Sequence, residues 1–210
     1  MDPMEIEKRS MEIIEAELRV PLPEEIKPVV KRVIHATADF SFAETLRFSP
    51  GVVGLMRNML CRGAAIVTDT NMALAGISKP ALKKLGIEAR CFMADADVAE
   101  EAKRRGQTRA SVSMEKALAL PGARILVCGN APTFLFPLLD MCPAPENIAV
   151  IGVPVGFVNV TEAKERLWKS GIPCIAAMGR KGGSSIAAAV CNYLLYAAAG
   201  MEDPAARGWG

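Results

Sequence analysis

The sequence predicts an α/β fold: a mainly parallel sheet of five strands between two layers of helices, preceded by an N-terminal helical segment. Three observations lead there. Five short runs, most of them dense in apolar residues, fall at 64–68, 88–93, 124–128, 148–151 and 173–177. Segments of helical length and periodicity separate them. Where these runs are continuously apolar instead of alternating, they read as strands buried on both faces, the habit of parallel sheets. Together these features describe a doubly wound, flavodoxin-like three-layer sandwich. The 210 residues, 51% of them apolar, are enough for a sizeable core and read as one domain, 1–210.

Residues 3–19 carry Met4, Met11, Ile14 and Leu18 at the spacing of one helical face, and Pro21-Leu22-Pro23 ends that helix. A second helix over 23–37 aligns Ile26, Val29, Val30, Val33 and Ile34 on one stripe, with Pro28 in its first turns. Residues 39–50 read as a connection of mixed polarity. A helix over 51–62 follows, with Val52, Leu55, Met56 and Met59 on one side. The first strand, 64–68, leads to helical pieces at 70–75 and 79–85. The second strand, 88–93, leads to helices at 98–105 and 111–120. The third, 124–128, ends at Gly129-Asn130, and Pro132 opens the next helix. The fourth, 148–151, runs into Gly152-Val153-Pro154-Val155-Gly156, and Thr161 is the expected N-cap of a helix over 161–170. The fifth, 173–177, leads through a glycine-rich loop to a long helix over 183–199. Residues 201–210 read as a flexible tail.

Composition excludes several functions. Lysine and arginine total 25 against 23 acidic residues, so no net charge marks a nucleic-acid binder. Few aromatics further weaken a base-stacking role. No apolar run is long enough to span a bilayer. The acidic start Met1-Asp2-Pro3-Met4-Glu5 has no hydrophobic signal region, which makes the cytoplasm the expected location. The six cysteines, Cys61, Cys91, Cys128, Cys142, Cys174 and Cys191, include no Cys-x-x-Cys pair for a zinc or redox site. They read as reduced, Cys128 and Cys174 as small hydrophobes within strands.

The chain has one histidine, His35, the side chain suited to give and take a proton near neutral pH. It lies nearly opposite the valine stripe of its helix, in the last turn, where the helix dipole favours imidazolium. A lone histidine is also a common packing or surface residue. The residues after the strands are the next candidates, because ligands of such sheets bind at the carboxyl ends of the strands. These are Thr68-Asp69-Thr70-Asn71-Met72, Gly129-Asn130-Ala131-Pro132-Thr133, Gly152–Gly156 and Gly179-Arg180-Lys181-Gly182-Gly183-Ser184-Ser185. Each is open to a reading as ordinary turn and capping chemistry. The last pairs glycines and two cations with a helix N-terminus, which suits carboxylate or phosphate. It is no Walker A loop, and no strand is followed by Gly-x-Gly-x-x-Gly. Arg104, Arg105 and Arg109 add a possible carboxylate clamp. The residues alone thus indicate an α/β protein for an anionic ligand, with one histidine for proton transfer.

Lys8-Arg9-Ser10, Arg32–Ala36, Asp69–Met72, Gly106-Gln107-Thr108-Arg109, Gly129–Thr133, Gly152–Val158 and Gly179–Ser184 together resemble the precorrin-8X methylmutase family, including its cobalt-precorrin-8 form. The resemblance implies an isomerase of corrin biosynthesis that moves a methyl group from C11 to C12 of the macrocycle. It implies a flavodoxin-type homodimer with its site near the subunit boundary. It puts the acid/base role on His35 and substrate contacts on Ser10, Arg32 and Arg109. Asn130, Gly182, Gly183 and Ser184 join these as substrate-binding candidates, from the strand-end rule as much as from the resemblance. No cofactor and no protein-bound metal are expected; any cobalt travels in the corrinoid substrate. Asp69–Met72 and His35–Asp39 look more like the cobalt branch. The alternative is a tetrapyrrole carrier without catalysis.

Overall fold

The computed structural model describes residues 3–141, 143 and 145–207. The chain runs α1 (Pro3–Glu17), α2 (Lys27–Thr37), α3 (Phe42–Thr45), β1 (Leu46–Phe48), α4 (Val52–Cys61), β2 (Ala65–Thr68), α5 (Asn71–Gly76), α6 (Lys79–Leu85) and β3 (Ala89–Arg90). It continues through α7 (Ala96–Arg105), α8 (Arg109–Leu118), β4 (Arg124–Cys128), a 3-10 turn (Pro132–Phe134), α9 (Phe136–Leu139) and β5 (Ile148–Gly152). α10 (Val160–Lys169), β6 (Cys174–Ala177), α11 (Ser184–Ala199) and a second 3-10 turn (Pro204–Arg207) complete it.

The strands form one sheet in the order β1-β6-β5-β4-β2-β3. All neighbours are parallel except β1, which lies antiparallel on β6 with Leu46 opposite Ala177 and Phe48 opposite Ile175. The sheet therefore has six strands, one more than the five expected. β1 escapes detection because it has three residues and an exposed Arg47 at its centre, too short a stretch for a periodicity to register. The strand expected over 88–93 shrinks to the two residues of β3.

Side-chain alternation along the central strands feeds two cores, one on each face. Ile125, Val127, Ala149, Ile151, Ile175 and Ala177 share a core with α2, α4, α5 and α11. Leu126, Cys128, Ile148, Val150 and Cys174 share the other with α7, α8, α9 and α10. The result is three layers. α2 packs on α11 through Val29, Val30, Val33 and Ile34, each at most 1% exposed. Burying a side chain of this size contributes roughly 1.5–3 kcal/mol. His35 is exposed, off that stripe as its spacing predicts. α2 closes on Ala38 in the left-handed region (φ 53), whose N–H bonds the Ile34 carbonyl at 2.7 Å. For a non-glycine residue that conformation costs roughly 1–2 kcal/mol.

Two local expectations change. α10 begins at Val160 with Asn159 (φ 59) as its N-cap residue, not Thr161. The segment read as a flexible tail is packed as far as Arg207. Met201 and Arg207 are 4% exposed. Arg207 donates to the Met201 carbonyl at 3.0 Å and to Glu7 Oε1 at 2.6 Å, and its guanidinium lies 4.4 Å from the Tyr196 ring centroid. Residues 208–210 lie outside the described residues. Cys128, Cys174 and Cys191 are buried and unpaired. Burial pushes the Cys174 thiol up to about 11 and that of Cys191 up to about 12. Cys142 lies outside the described residues. Among the described residues no helix is long and apolar enough to cross a membrane.

Candidate functional site

The carboxyl ends of β2, β4, β5 and β6 open onto one rim, where the loops are tied together from inside. Asp69, fully buried just past β2, accepts three successive backbone N–H groups, from Gly129 at 2.9 Å and from Asn130 and Ala131 at 2.7 Å. Burial pushes its carboxyl pKa up, and the three N–H donors pull against that push. Thr70 caps α5 through the Ala73 N–H and shares a 2.9 Å hydrogen bond with Ser184 at the start of α11. The glycine-rich loop sits on the end of β5. Gly183 donates to the Val153 carbonyl at 2.9 Å and Gly156 to the Arg180 carbonyl at 3.2 Å. A Cβ on Gly182 would stand 2.2 Å from the Val153 oxygen and 2.4 Å from that of Pro154. Only glycine fits there. Further round, Thr108 caps α8 and donates to Thr133 Oγ1 at 3.1 Å, so the loop carrying Arg109 joins the loop after β4.

Among the described residues, the three most exposed large hydrophobic side chains stand on this rim: Phe157 at 83% and Val158 at 76% on the loop after β5, and Met72 at 75% in the first turn of α5. The Arg180 guanidinium lies 5.5 Å from the Phe157 ring centroid. Arg109 and Arg180 have no acidic partner among the described residues. The three-arginine clamp expected from sequence does not form as such, because Arg104 pairs with Glu101 and Arg105 with Glu115. The rim thus offers apolar surface beside two unpaired guanidinium groups. Asn130 is exposed on it and Ser184 lies just beneath it.

Ser10, Arg32 and His35 form a second group on the N-terminal helices. Arg32 pairs with Glu7 at 2.9 Å, and Glu7 also takes Arg207. Against the upward push of burial, Arg207 and Arg32 hold the Glu7 carboxyl below its ordinary range. Ser10 Oγ donates to the Ile6 carbonyl of its own helix at 2.8 Å. The His35 ring has no hydrogen-bond partner among the described residues. Although the residue as a whole is exposed, its imidazole is partly shielded from water, and its surroundings press its pKa below the ordinary 6.5, through that partial desolvation first and the Arg32 cation second, with Glu7 opposing. A cleft of about 750 Å³ is lined by Arg32, Tyr193, Tyr196 and Arg207. Its walls carry Glu5, Glu7, Glu15, Glu24, Glu202 and Asp203 against Lys8, Lys27, Lys31, Arg32 and Arg207. Six carboxylates against five cations do not collect an acidic ligand.

The two groups are linked at one point. Lys181 of the glycine loop bonds Asp39 Oδ2 at 2.7 Å and Ser41 Oγ at 3.0 Å. Asp39 follows the end of α2, four residues past His35. The Lys181 ammonium, and then Ser41, hold the Asp39 carboxyl at about 2, against an ordinary 3.8. A depressed carboxylate stabilises the fold above its unfolded pKa and loses that contribution as pH falls toward its folded value. Here the window is about 4 down to 2, and solvent screening keeps the effect under about 1 kcal/mol. Lys181→Met should raise the Asp39 pKa from about 2 toward the ordinary carboxylate range, with Ser41 still holding it below that range, read from its carboxyl-carbon resonance in an NMR titration. A midpoint still near 2 would mean that another group holds it.

Residues 5–197 match the family model described as precorrin-8X methylmutase. The chain belongs to the precorrin-8X methylmutase family. It is 44% identical over 172 residues to the cobalt-precorrin-8 methylmutase of Salmonella typhimurium, covering 80% of each chain. With the cobalt-precorrin-8 methylmutase of Priestia megaterium it shares 40% over 197 residues, 92% of this chain and 88% of the relative. The solved precorrin-8X methyl mutase of Thermus thermophilus superposes with a TM-score of 0.84 at 36% identity, covering 93% of this chain and 98% of that one. An enzyme of the methylmutase family, an isomerase, is therefore built on this mixed six-stranded sheet. Sequence reasoning missed some residues that shape it: Glu7, Lys164 and the Lys181–Asp39 pair. Only Lys164 left a signal, falling with Val160, Ala163 and Leu167 on the buried stripe of α10.

Proposed function

We propose that the chain moves a methyl group from C11 to C12 of precorrin-8X or cobalt-precorrin-8, giving hydrogenobyrinate or cobyrinate, with His35 as the acid/base. The observation that carries this reading is the rim, where Phe157, Val158 and Met72 stand out beside Arg109 and Arg180. A flat apolar ring fringed with acetate and propionate groups asks for that combination, since guanidinium groups bind carboxylates in a planar, two-pronged way. His35 would protonate the ring system at or near a nitrogen, drawing electrons from the conjugated path and easing the shift. The rearrangement has no net redox change, so we assign the protein no cofactor and no metal of its own. Cobalt, where present, is part of the substrate.

The placement of Ser10, Arg32 and His35 on α1 and α2, apart from Arg109 and Asn130, supports a homodimer in which one copy's N-terminal helices lie over the other's rim. Half-exposed Ile6 and Ile13 on α1 offer apolar surface for such a contact. We read the fold as flavodoxin-like, since its parallel strands follow the order β3-β2-β4-β5-β6, the 2-1-3-4-5 pattern. We infer a cytoplasmic setting from the biosynthetic family.

Purified protein mixed with precorrin-8X should change the absorption spectrum to that of hydrogenobyrinate. Release of unchanged ligand from a stable complex would make the protein a carrier instead.

A further inference from the structure

α10 holds a lysine with no access to solvent. Lys164 is 0% exposed, and its ammonium donates to the carbonyl oxygens of Gly179 and Lys181, both at 2.8 Å. A buried cation is costly unless it is well bonded, so the contact is a specific one. It reaches the glycine loop from beneath, at the two residues flanking Arg180. We propose that Lys164 is a positioning residue of the methylmutase reaction: it fixes the 179–181 backbone so that Lys181 meets Asp39 and sets the end of the helix carrying His35. The inference rests on the methylmutase reading above.

Three further observations support it. The chain from Lys164 to α2 is continuous: Lys164 Nζ to the Lys181 carbonyl, Lys181 Nζ to Asp39 Oδ2 at 2.7 Å, and the Asp39 N–H to Oγ1 of Thr37, the last residue of α2, at 3.2 Å. The loop has little freedom of its own, since Gly182 is pressed against the Val153 and Pro154 carbonyls; a change beneath it must pass outward, toward Lys181. Lys164 also has a counterpart. Asp69 holds the 129–131 loop from below as Lys164 holds 179–181, and the buried Cys128 thiol beside Asp69 donates to the Ala131 carbonyl of the same loop at 3.2 Å. Opposite charges beneath neighbouring loops fix two parts of one rim. Burial brings the Lys164 pKa down to about 8, which leaves it charged at neutral pH.

The test compares wild type, Lys164→Met, Lys181→Met and the double variant with precorrin-8X, recording kcat, KM and Tm. Misplacement of a reacting group by a fraction of an ångström costs turnover, so each single change should lower kcat by about tenfold with KM nearly unchanged. The double variant should be no slower than the slower single one, because both act through one linkage. Losses that multiply would overturn the proposal, as would a full kcat in Lys164→Met whatever its Tm. If Lys164→Met does not fold, exposed Lys181 carries the test. Lys181→Met should lose turnover and Lys181→Arg, which keeps a cation for Asp39, should restore it; a full kcat in Lys181→Met sinks the idea. If wild type itself leaves precorrin-8X unchanged, the methylmutase reading fails instead. The linkage is then read from the Asp39 carboxyl resonance in Lys164→Met or Lys164→Gln, which must move if Lys164 aims Lys181.

Discussion

His35→Ala should leave precorrin-8X bound and lower its conversion by about 10²–10⁴-fold, the usual worth of a positioned proton transfer. Binding should survive because the apolar rim and the arginines remain. Single-turnover spectra separate the two quantities, and near wild-type turnover in His35→Ala would remove this residue from the mechanism. The pH dependence carries a further expectation. Burial and the Arg32 cation depress the His35 pKa below 6.5 in the free chain. If the protonated form acts, kcat/KM falls as pH rises through that depressed value. In the complex the carboxylates of the substrate oppose Arg32 and raise the pKa. The falling limb of kcat should therefore lie at higher pH than that of kcat/KM. Coincident limbs would mean that substrate charge does not reach the ring.

The second large effect concerns stability. Asp69→Ala strands the N–H groups of Gly129, Asn130 and Ala131, which converge on this carboxylate. Unpaired buried donors cost about 1–3 kcal/mol each, and a shared site makes them less than additive. A loss of about 3 kcal/mol or more is expected, measured by urea unfolding at neutral pH, with turnover falling as the rim loosens. Asp69→Asn keeps one acceptor oxygen and should fall between the two. An unchanged midpoint in Asp69→Ala would show that the loop holds itself.

Much of this architecture is legible in the chain. Ile125 to Cys128 and Ile148 to Ile151 declare themselves as strands because both of their faces are buried, so no polar residue interrupts them. α2 declares its buried face through Val29, Val30, Val33 and Ile34, and by difference puts His35 outside. The rest depends on partners distant in sequence. Arg207 pairs in its buried position with Glu7, 200 residues away, so residues 201–207 look like a tail to any local rule. Lys164 falls on the apolar stripe of α10, but what it holds there stays hidden until the carbonyls of Gly179 and Lys181 come to it. Arg104 and Arg105 look as available as Arg109 until Glu101 and Glu115 claim them. The rim loops themselves were readable, because each needs glycine, asparagine or a capping hydroxyl at a fixed turn.

The outermost strands have a consequence for assembly. β1 offers three residues and β3 two, so each border of the sheet presents too little free backbone to pair with a foreign strand. Growth of the sheet from one molecule into the next is blocked at both sides. Any association of this protein must be written in side chains, where a single substitution can tune or abolish it.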